Sequence, residues 1–504
     1  MKNVLEYLEH SAEIYPQKRA FGDKDSSCTF EELRGRARRA GTFLAGRVLP
    51  RSPIPVLADK SIQTVVAFMG SVYAGCFYTL LDPKHPTNRL QSILNTLEAS
   101  VLVADRTYER ELNALGFAGT VIFMDELEAA KADEELLGQI RRQAMDMDPL
   151  YGIFTSGSTG VPKGVVVSHR SVIDFIDCFT GLFGITERDV IGNQAPFDFD
   201  VSVKDLYSGL KTGASVELIP KQYFSFPKKL LDFLCERQVT TLIWAVSALC
   251  ILTTLKGFAY KVPGLIRRVM FSGEVMPIRH LREWQKYLPE AEFVNLYGPT
   301  EITCNCTYYR VKRAYEPGET LPIGDAFPNE KVFLLDEMDA LVEETKKLGE
   351  ICVSGTALAL GYYNNPQQTA RSFVQNPLNT KYPETIYRTG DLGYYNEEHE
   401  LCFSSRKDFQ IKHMGHRIEL GEIEAAMEKI QEIDRACCIF DDAKNKILAF
   451  YRGTVARREI IEQVGKELPP YMVPNVFFRV EEMPLTKNGK IDRGKLLETY
   501  RKNA

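Results

Sequence analysis

The chain has 504 residues and a formal net charge of -5, with 44% hydrophobic and 26% charged residues. This length exceeds the roughly 250 to 300 residues that one hydrophobic core supports, so at least two domains are expected. The composition is that of an ordinary globular protein and excludes a disordered or fibrous chain. The negative net charge gives no general attraction for nucleic acid, which we do not expect as a partner.

The cysteines and the apolar segments indicate a cytoplasmic protein without a membrane span. The eleven cysteines are an odd number and lack the spacing of a small disulfide-bonded scaffold. Neither Cys304 with Cys306 nor Cys437 with Cys438 has a second ligand pair at zinc-site spacing, so we expect buried thiols. The N-terminal segment is charged where a signal peptide is apolar, and the longest apolar stretch, 242–252, is too short to cross a membrane.

Short apolar strands and helical patterns alternate along most of the chain. A capping-box pattern, Thr29 to Glu32, predicts a helix start, and the arginines that follow are interpreted as a solvated helix face. The strand-like runs include 101–105, 120–127, 215–220 and 265–274. This alternation predicts an α/β fold with largely parallel sheets. After about residue 400 the pattern changes, so we predict a large N-terminal domain of layered α/β sheets, residues 1–404, and a small mobile α+β C-terminal domain, residues 408–504.

A loop rich in small and hydroxyl residues, TSGSTGVPKG, follows the strand-like run 151–154. It leaves backbone N–H groups exposed and adds the positive charge of Lys163, which are the groups that grip a polyphosphate. Its spacing is neither that of a Walker A loop nor that of a G-x-S-x-G nucleophile elbow, which disfavours a P-loop NTPase. The expected phosphate-binding residues are Thr155, Ser156, Gly157, Ser158, Thr159, Gly160 and Lys163.

This loop resembles the signature loop of the adenylate-forming superfamily, which includes acyl-CoA synthetases, luciferases and the adenylation domains of peptide synthetases. Four further segments resemble the family's motifs and occur in its order. They are NLYGPTE (295–301), YRTGDLG (387–393), SRKDFQIKHMGHRIELGEIE (405–424) and PLTKNGKIDR (484–493). The one mild departure in these motifs is Ser405, where the family usually has glycine.

The resemblance implies that the chain uses ATP and Mg2+. By resemblance, Tyr297 stacks on adenine, Thr300 contacts the α-phosphate and Glu301 holds Mg2+, roles that suit an aromatic face and a carboxylate. Asp391 accepts hydrogen bonds from the ribose hydroxyls, and Lys490 bridges the substrate carboxylate and the phosphate. The other residues expected around ATP are Asn295, Gly298, Pro299 and Arg406, and the expected hinge is Asp408.

The reaction implied has two halves. A carboxylate attacks the α-phosphate of ATP to give an acyl adenylate and pyrophosphate, and a thiol then attacks that anhydride. Because Lys490 lies in the small domain, a lid must close for adenylation. In the family, further rotation about the same hinge brings the segment around Gly415 to the path of the thiol.

QAPFDFDVSVKD (194–205) resembles the amino-acid-activating branch, in which Asp200 pairs with the substrate α-ammonium group. Asp198, two residues earlier, is interpreted as part of a solvated turn. Over its whole length the chain resembles D-alanine:carrier-protein ligases, but Ser272 stands where these tend to have cysteine and Lys204 where they have an apolar residue. The expected pocket consists of Asp200, Val201, Lys204, Ser247, Met270, Ser272, Leu296, Cys304 and Asn305. D-alanine is favoured, and serine, cysteine or another small amino acid is the alternative.

The expected acceptor is the phosphopantetheine thiol of a separate carrier protein, because the 14 residues after Lys490 leave no room for a carrier domain. Coenzyme A is the alternative thiol, and an acyl- or aryl-CoA synthetase is the alternative enzyme. A non-catalytic homologue is disfavoured, since Lys163, Glu301, Asp391 and Lys490 are all retained. His169 is open to two interpretations, as a residue beside the substrate or as a packing residue.

Overall fold

The structure is a computed structural model that describes residues 1–157, 161–316, 318–441, 444–485 and 491–503. Four predicted site residues, Ser158, Thr159, Gly160 and Lys490, lie outside the described residues. Their assigned roles therefore stay predictions from the sequence.

The described chain folds into helices and strands that are numbered here in chain order. The helices are α1 (Leu5–Ile14), α2 (Phe30–Ala45), α3 (Ile62–Tyr73), α4 (Thr87–Leu97), α5 (Glu109–Leu115), α6 (Glu134–Gln143), α7 (His169–Phe183), α8 (Val201–Thr212), α9 (Pro227–Glu236), α10 (Val246–Thr254), α11 (Ile278–Tyr287), α12 (Pro366–Ser372), α13 (Leu420–Glu428), α14 (Arg457–Glu467) and α15 (Arg493–Asn503). The first strands are β1 (Arg19–Gly22), β2 (Ser27–Thr29), β3 (Pro53–Leu57), β4 (Phe77–Leu81), β5 (Val101–Ala104), β6 (Thr120–Phe123), β7 (Pro149–Thr155), β8 (Lys163–Ser168) and β9 (Val190–Asn193). The next are β10 (Ser215–Leu218), β11 (Thr241–Ala245), β12 (Arg268–Ser272), β13 (Glu292–Tyr297), β14 (Thr307–Arg310), β15 (Asp325–Ala326), β16 (Glu330–Leu335), β17 (Leu341–Val342) and β18 (Gly349–Gly355). The last are β19 (Gly361–Tyr362), β20 (Phe373–Gln375), β21 (Thr385–Tyr395), β22 (Leu401–Arg406), β23 (Gln410–His413), β24 (His416–Glu419), β25 (Ile433–Asp441), β26 (Lys446–Gly453) and β27 (Val476–Arg479).

Two large, mostly parallel sheets form the body of the molecule. One has the strand order β15-β14-β13-β12-β11-β9-β10-β1-β2, and the other has the order β19-β8-β7-β4-β3-β5-β6. Their central strands β3, β4, β5 and β11 are buried at every residue, as expected for parallel strands covered by helices on both faces. The predicted α/β class is therefore confirmed.

A third, antiparallel sheet carries the chain towards the small C-terminal unit. It has the order β17-β16-β18-β21-β20, and β22 is a sixth strand that also pairs with β21. Since β22 continues to Arg406, this sheet extends past residue 404, where the sequence placed the end of the large domain.

The C-terminal unit contains the β23–β24 hairpin, the three-stranded sheet β25-β26-β27 and its own apolar core. It docks on the large domain through a buried ion pair, in which Arg89 Nη1 lies 3.1 Å from Glu422 Oε1. The hairpin reaches across this interface into the site described below.

Two local predictions are confirmed. At the start of α2, the Thr29 hydroxyl accepts a hydrogen bond from the Glu32 backbone N–H and the Glu32 carboxylate accepts one from the Thr29 N–H, which forms the predicted capping box. All eleven cysteines are free thiols, and Cys304, Cys306, Cys437 and Cys438 are buried. In the part of the chain that the structure describes, no helix combines the length and apolar character that a membrane span requires.

Candidate active site

The expected pocket residues lie at the carboxyl ends of neighbouring parallel strands. In the strand register, Ala245 of β11 pairs with Ser272 of β12, and Ser272 pairs with Leu296 of β13. The carboxyl edge of a parallel sheet is where α/β folds bind their ligands, because loops and helix N-termini converge there. A cavity opens at this edge between the large domain and the C-terminal unit, and its lining includes Ser247 and Tyr297.

One group of side chains surrounds the buried carboxylate of Asp391. Its Oδ2 accepts a hydrogen bond from the Tyr297 hydroxyl at 2.5 Å, and its Oδ1 accepts one from Arg406 Nη1 at 2.5 Å. Arg406 also donates two hydrogen bonds to Asp408, at 2.6 and 2.7 Å. The structure therefore brings together the residues expected around adenine and ribose with the expected hinge residue.

A second group surrounds Glu301, which is completely buried. Its Oε1 accepts hydrogen bonds from the Tyr362 hydroxyl at 2.7 Å and from Arg417 Nη1 at 3.0 Å, and Arg417 lies 2.8 Å from Oε2. Burial alone would raise the pKa of Glu301, but the charges of Arg417 and Lys163 outweigh it and lower that pKa to about 2. Glu301 is therefore an ionised carboxylate at every physiological pH.

The β23–β24 hairpin supplies charges of both signs to this site. Besides the Arg417–Glu301 pair, Glu419 Oε1 lies 3.7 Å from Lys163 Nζ, and the Ser156 hydroxyl donates to the Arg417 carbonyl at 2.7 Å. At the hairpin turn, the Gly415 N–H donates to Glu274 Oε1 at 2.5 Å. The hairpin thus covers the phosphate-loop lysine and the proposed Mg2+ ligand at the same time.

Gly415 fits this position because its backbone is left-handed, with φ +81°, and because the space around it is limited. A Cβ atom there would lie 3.3 Å from the Ala245 side chain. The segment expected on the thiol path therefore lies against the end of β11 in this arrangement of the domains.

The expected amino-acid anchor, Asp200, is buried directly before α8. Burial raises the pKa of Asp200, while the charge of Lys204 and a hydrogen bond with Thr300 act in the opposite direction. The Cys304 thiol donates to the Asp200 backbone carbonyl at 3.1 Å. The residue expected to hold the substrate ammonium group therefore lies beside the one expected at the α-phosphate.

The loop after β13 shapes the wall of this pocket. Thr303 and Cys304 have positive φ angles of 52° and 76°, uncommon for residues with a side chain. Gly298 packs against this loop so closely that a Cβ atom would lie 2.5 Å from the Asn305 Cα. Only glycine fits there without moving the loop.

Lys204, which stands where D-alanine:carrier-protein ligases have an apolar residue, points into the protein. Its side chain is completely buried, and its Nζ donates to Asn305 Oδ1 at 2.5 Å. Lys204 is therefore buried among the residues expected to form the amino-acid pocket.

The remaining expected site residues take the following positions. Val201, Met270, Ser272 and Leu296 are buried, and Ser247 is partly exposed on the cavity. The Asn295 amide donates to the Pro322 carbonyl at 2.8 Å, so this side chain supports the loop that contains Pro322. Among the described residues, the buried Thr155 hydroxyl has no hydrogen-bond partner. Gly157 is the last described residue before 158–160, and Pro299 directly precedes the turn that begins at Thr300.

Two interpretations of single residues are decided by the structure. Asp198 lies in a turn, as predicted, but the prediction that this turn is solvated is wrong, because the Asp198 side chain is only 17% exposed and its Oδ2 lies 3.7 Å from His85 Nε2. His169 is a buried packing residue, since its Nδ1 accepts a hydrogen bond from the Val4 N–H. Burial lowers the pKa of His169 to about 4.

Several residues of this site had no role predicted from the sequence. Arg417 and Glu419 lie inside the recognised segment 405–424, where their charges were the available signal. Tyr362 and Glu274 lie in no recognised motif, and the sequence alone carried no signal for them.

Glu301 suits a divalent cation of the Mg2+ type. It is a buried, ionised oxygen ligand whose counter-charge in this arrangement comes from a side chain of the other domain. A hard cation bound there would take its other ligands from phosphate oxygens and water.

Comparison with known proteins gives consistent matches along the chain. The family model described as AMP-binding enzyme matches residues 8–363, and the model described as AMP-binding enzyme C-terminal domain matches residues 422–490. Surfactin synthase subunit 1 of Bacillus subtilis is 32% identical over 98% of this chain, which spans only 14% of that relative. Zwittermicin A synthase ZmaJ of Bacillus cereus is 31% identical over 97% of this chain and 94% of its own length. The adenylation domain AlmE of Vibrio cholerae, solved in complex with glycyl-adenosine-5'-phosphate, superposes with a TM-score of 0.86 at 21% identity, covering 100% of this chain and 98% of that one.

Proposed function

The chain belongs to the AMP-binding enzyme family, and from this premise we propose that it activates a small amino acid as its adenylate and transfers it to a phosphopantetheine thiol of a carrier protein. At the coarser level, the chain is an adenylate-forming enzyme of the peptide-synthetase adenylation type. The observation that supports the proposal is the position of Asp200 beside Thr300, because the proposed ammonium anchor then lies next to the residue expected at the α-phosphate.

In the proposed first half-reaction, Asp200 binds the substrate α-ammonium group and directs the carboxylate towards ATP. The carboxylate oxygen attacks the α-phosphorus, and the bond to the pyrophosphate oxygen breaks. Asp391 holds the ribose and Tyr297 lies along the base, so the α-phosphorus is kept in line with the attacking oxygen. Lys163 and Lys490 offset the negative charge that gathers on the phosphoryl oxygens.

Mg2+, when bound at Glu301, would supply further charge neutralisation on the phosphates. The binding groups of this chain are Glu301 for the cation and Lys163 for the phosphate chain. Both groups meet the hairpin instead in the arrangement described here, so adenylation requires the hairpin to withdraw.

In the proposed second half-reaction, the hairpin is docked on the large domain as described here. A thiolate attacks the acyl carbon, the acyl–phosphate bond breaks and AMP leaves. Gly415 lies beside Ala245 at the edge of the cavity, which supports a path for the thiol along the hairpin. Coenzyme A shares the phosphopantetheine arm and is the alternative acceptor.

The proposal is tested by ATP–pyrophosphate exchange with D- and L-amino acids, β-alanine and simple carboxylic acids. We expect exchange with amino acids, with D-alanine as the first candidate from the resemblance and serine or cysteine as the alternatives. Exchange driven equally well by carboxylic acids without an amino group would favour the acyl- or aryl-CoA synthetase instead.

The Asp200→Asn variant is expected to lose about 100-fold or more in kcat/KM for the amino acid, because an ammonium group is then left without its counter-charge. The same ATP–pyrophosphate exchange assay measures it. A suitable control is Asp434→Asn, which makes the same change at an exposed position of the C-terminal unit. An unchanged preference for amino acids over the matching deaminated acids in Asp200→Asn would contradict the role of Asp200.

A further inference from the structure

Lys204 is a feature of the amino-acid pocket that D-alanine does not explain. Its ammonium group is completely buried and donates one described hydrogen bond, to the uncharged Asn305 side chain. Within the described residues, no carboxylate lies at ion-pair distance from Lys204. Because an ammonium group has three N–H donors and is costly to bury unpaired, this pocket lacks an anion.

The nearby carboxylates do not fill that role. Asp200 precedes Lys204 by four residues, so both lie on the same face of α8. Asp205 follows Lys204 directly and so points about 100° away around the helix, where its Oδ2 accepts a hydrogen bond from the Asn193 amide at 2.6 Å. Asp200, at the N-cap of α8, is therefore the carboxylate on the same side of the helix as Lys204.

A substrate changes the charge balance of this face. Burial lowers the pKa of Lys204, and without substrate the neighbouring groups of Cys304, Asp200 and Asp205 act in the opposite direction. Once Asp200 binds an α-ammonium group, that group compensates the negative charge of Asp200. Lys204 is then buried without a compensating negative charge. The substrate carboxylate that is adenylated faces ATP and does not compensate Lys204 either.

We propose that the substrate carries a second carboxylate, as dicarboxylic amino acids of the aspartate and glutamate type do, and that Lys204 with Asn305 binds it. This inference rests on the proposed function and replaces D-alanine as its preferred substrate. Asp200 then binds the α-ammonium group of the substrate and Lys204 binds its side-chain carboxylate, both from the same side of one helix. A substrate with an uncharged side chain leaves Lys204 without a counter-charge.

The experiment compares the unchanged chain with Lys204→Met in ATP–pyrophosphate exchange, using the D and L forms of aspartate, glutamate, asparagine, glutamine, alanine and serine. The unchanged chain is expected to prefer a dicarboxylic amino acid over its own amide. In Lys204→Met, kcat/KM for that acid falls about 100-fold, since a buried charge pair loses one partner, while the value for the amide does not fall. Removing an unpaired buried charge is not expected to unfold the protein, which thermal unfolding of the variant checks.

The matched control is Lys211→Met, the same substitution on the same helix, where the lysine pairs with Asp177 away from the pocket. It is expected to leave the preference unchanged. The inference is overturned if alanine, serine or an amide is the best substrate, or if Lys204→Met keeps the preference for the acid. In those cases the proposed function stands, whereas it fails if exchange requires no amino group at all.

Discussion

The Glu301→Gln variant is expected to catalyse ATP–pyrophosphate exchange about 100- to 1000-fold more slowly than the unchanged chain. Glutamine keeps the shape of the side chain and still accepts a hydrogen bond from the Tyr362 hydroxyl, but it removes the negative charge. That charge is the property that suits the site to a divalent cation, because a carboxylate is a strong ligand for Mg2+ and an amide is a weak one. Exchange rates at saturating ATP and amino acid, measured over a range of Mg2+ concentrations, provide the test.

Glu397→Gln is the matched control, because it makes the same substitution in an exposed ion pair with Lys346, at the end of the antiparallel sheet. It is expected to behave as the unchanged chain. A Glu301→Gln variant with full exchange activity at every Mg2+ concentration would remove Glu301 from the proposed site. A protein that unfolds is recognised by a change in circular dichroism and is not counted as evidence.

Local sequence signals were sufficient for the fold class and for several elements. The Thr29–Glu32 pattern predicted the start of α2 because its two hydrogen bonds join residues three apart. The apolar run 101–105 likewise became the buried strand β5. Such features depend on neighbours in the sequence and can therefore be predicted without knowing the tertiary structure.

Features that depend on long-range packing were not predictable in the same way. Asp198 was interpreted as part of a solvated turn, yet the loop containing His85 lies against its side chain. The inward direction of Lys204 is decided by Asn305, which lies about one hundred residues later in the chain. No local pattern reports which of two distant segments covers a given side chain.

The contacts of the β23–β24 hairpin with the large domain could not be predicted from local sequence either. The charged side chains of this hairpin resemble the charges of the reactants. Arg417 gives Glu301 the positive charge that a divalent cation would otherwise provide, and Glu419 gives Lys163 the negative charge of a phosphate. Arg417 and Glu419 both lie in the recognised segment 405–424, but their partners Glu301 and Lys163 belong to the other domain. The docked arrangement is thus compensated electrostatically, and under the proposed function a Mg2+-bound triphosphate would compete with the hairpin for the same side chains.

The Arg417→Ala variant is therefore expected to affect the two half-reactions differently. Thiol transfer should slow about 100-fold, because the docked hairpin loses both hydrogen bonds to Glu301 and leaves that carboxylate buried without the cation that pairs with it. Adenylation should change little, since the hairpin is withdrawn during that step. The measurements are ATP–pyrophosphate exchange for the first half-reaction, and release of AMP from preformed adenylate on addition of phosphopantetheine for the second.

Arg452→Ala, which removes an exposed arginine paired with Asp434 in the same C-terminal unit, is the control and should alter neither rate. Equal losses in both half-reactions for Arg417→Ala would show that Arg417 supports the site as a whole, and would contradict exchange of the hairpin for the reactants. A loss confined to thiol transfer would instead identify the Arg417–Glu301 ion pair as the contact that stabilises the docked hairpin during transfer. The variant would then slow only the half-reaction in which this ion pair is formed.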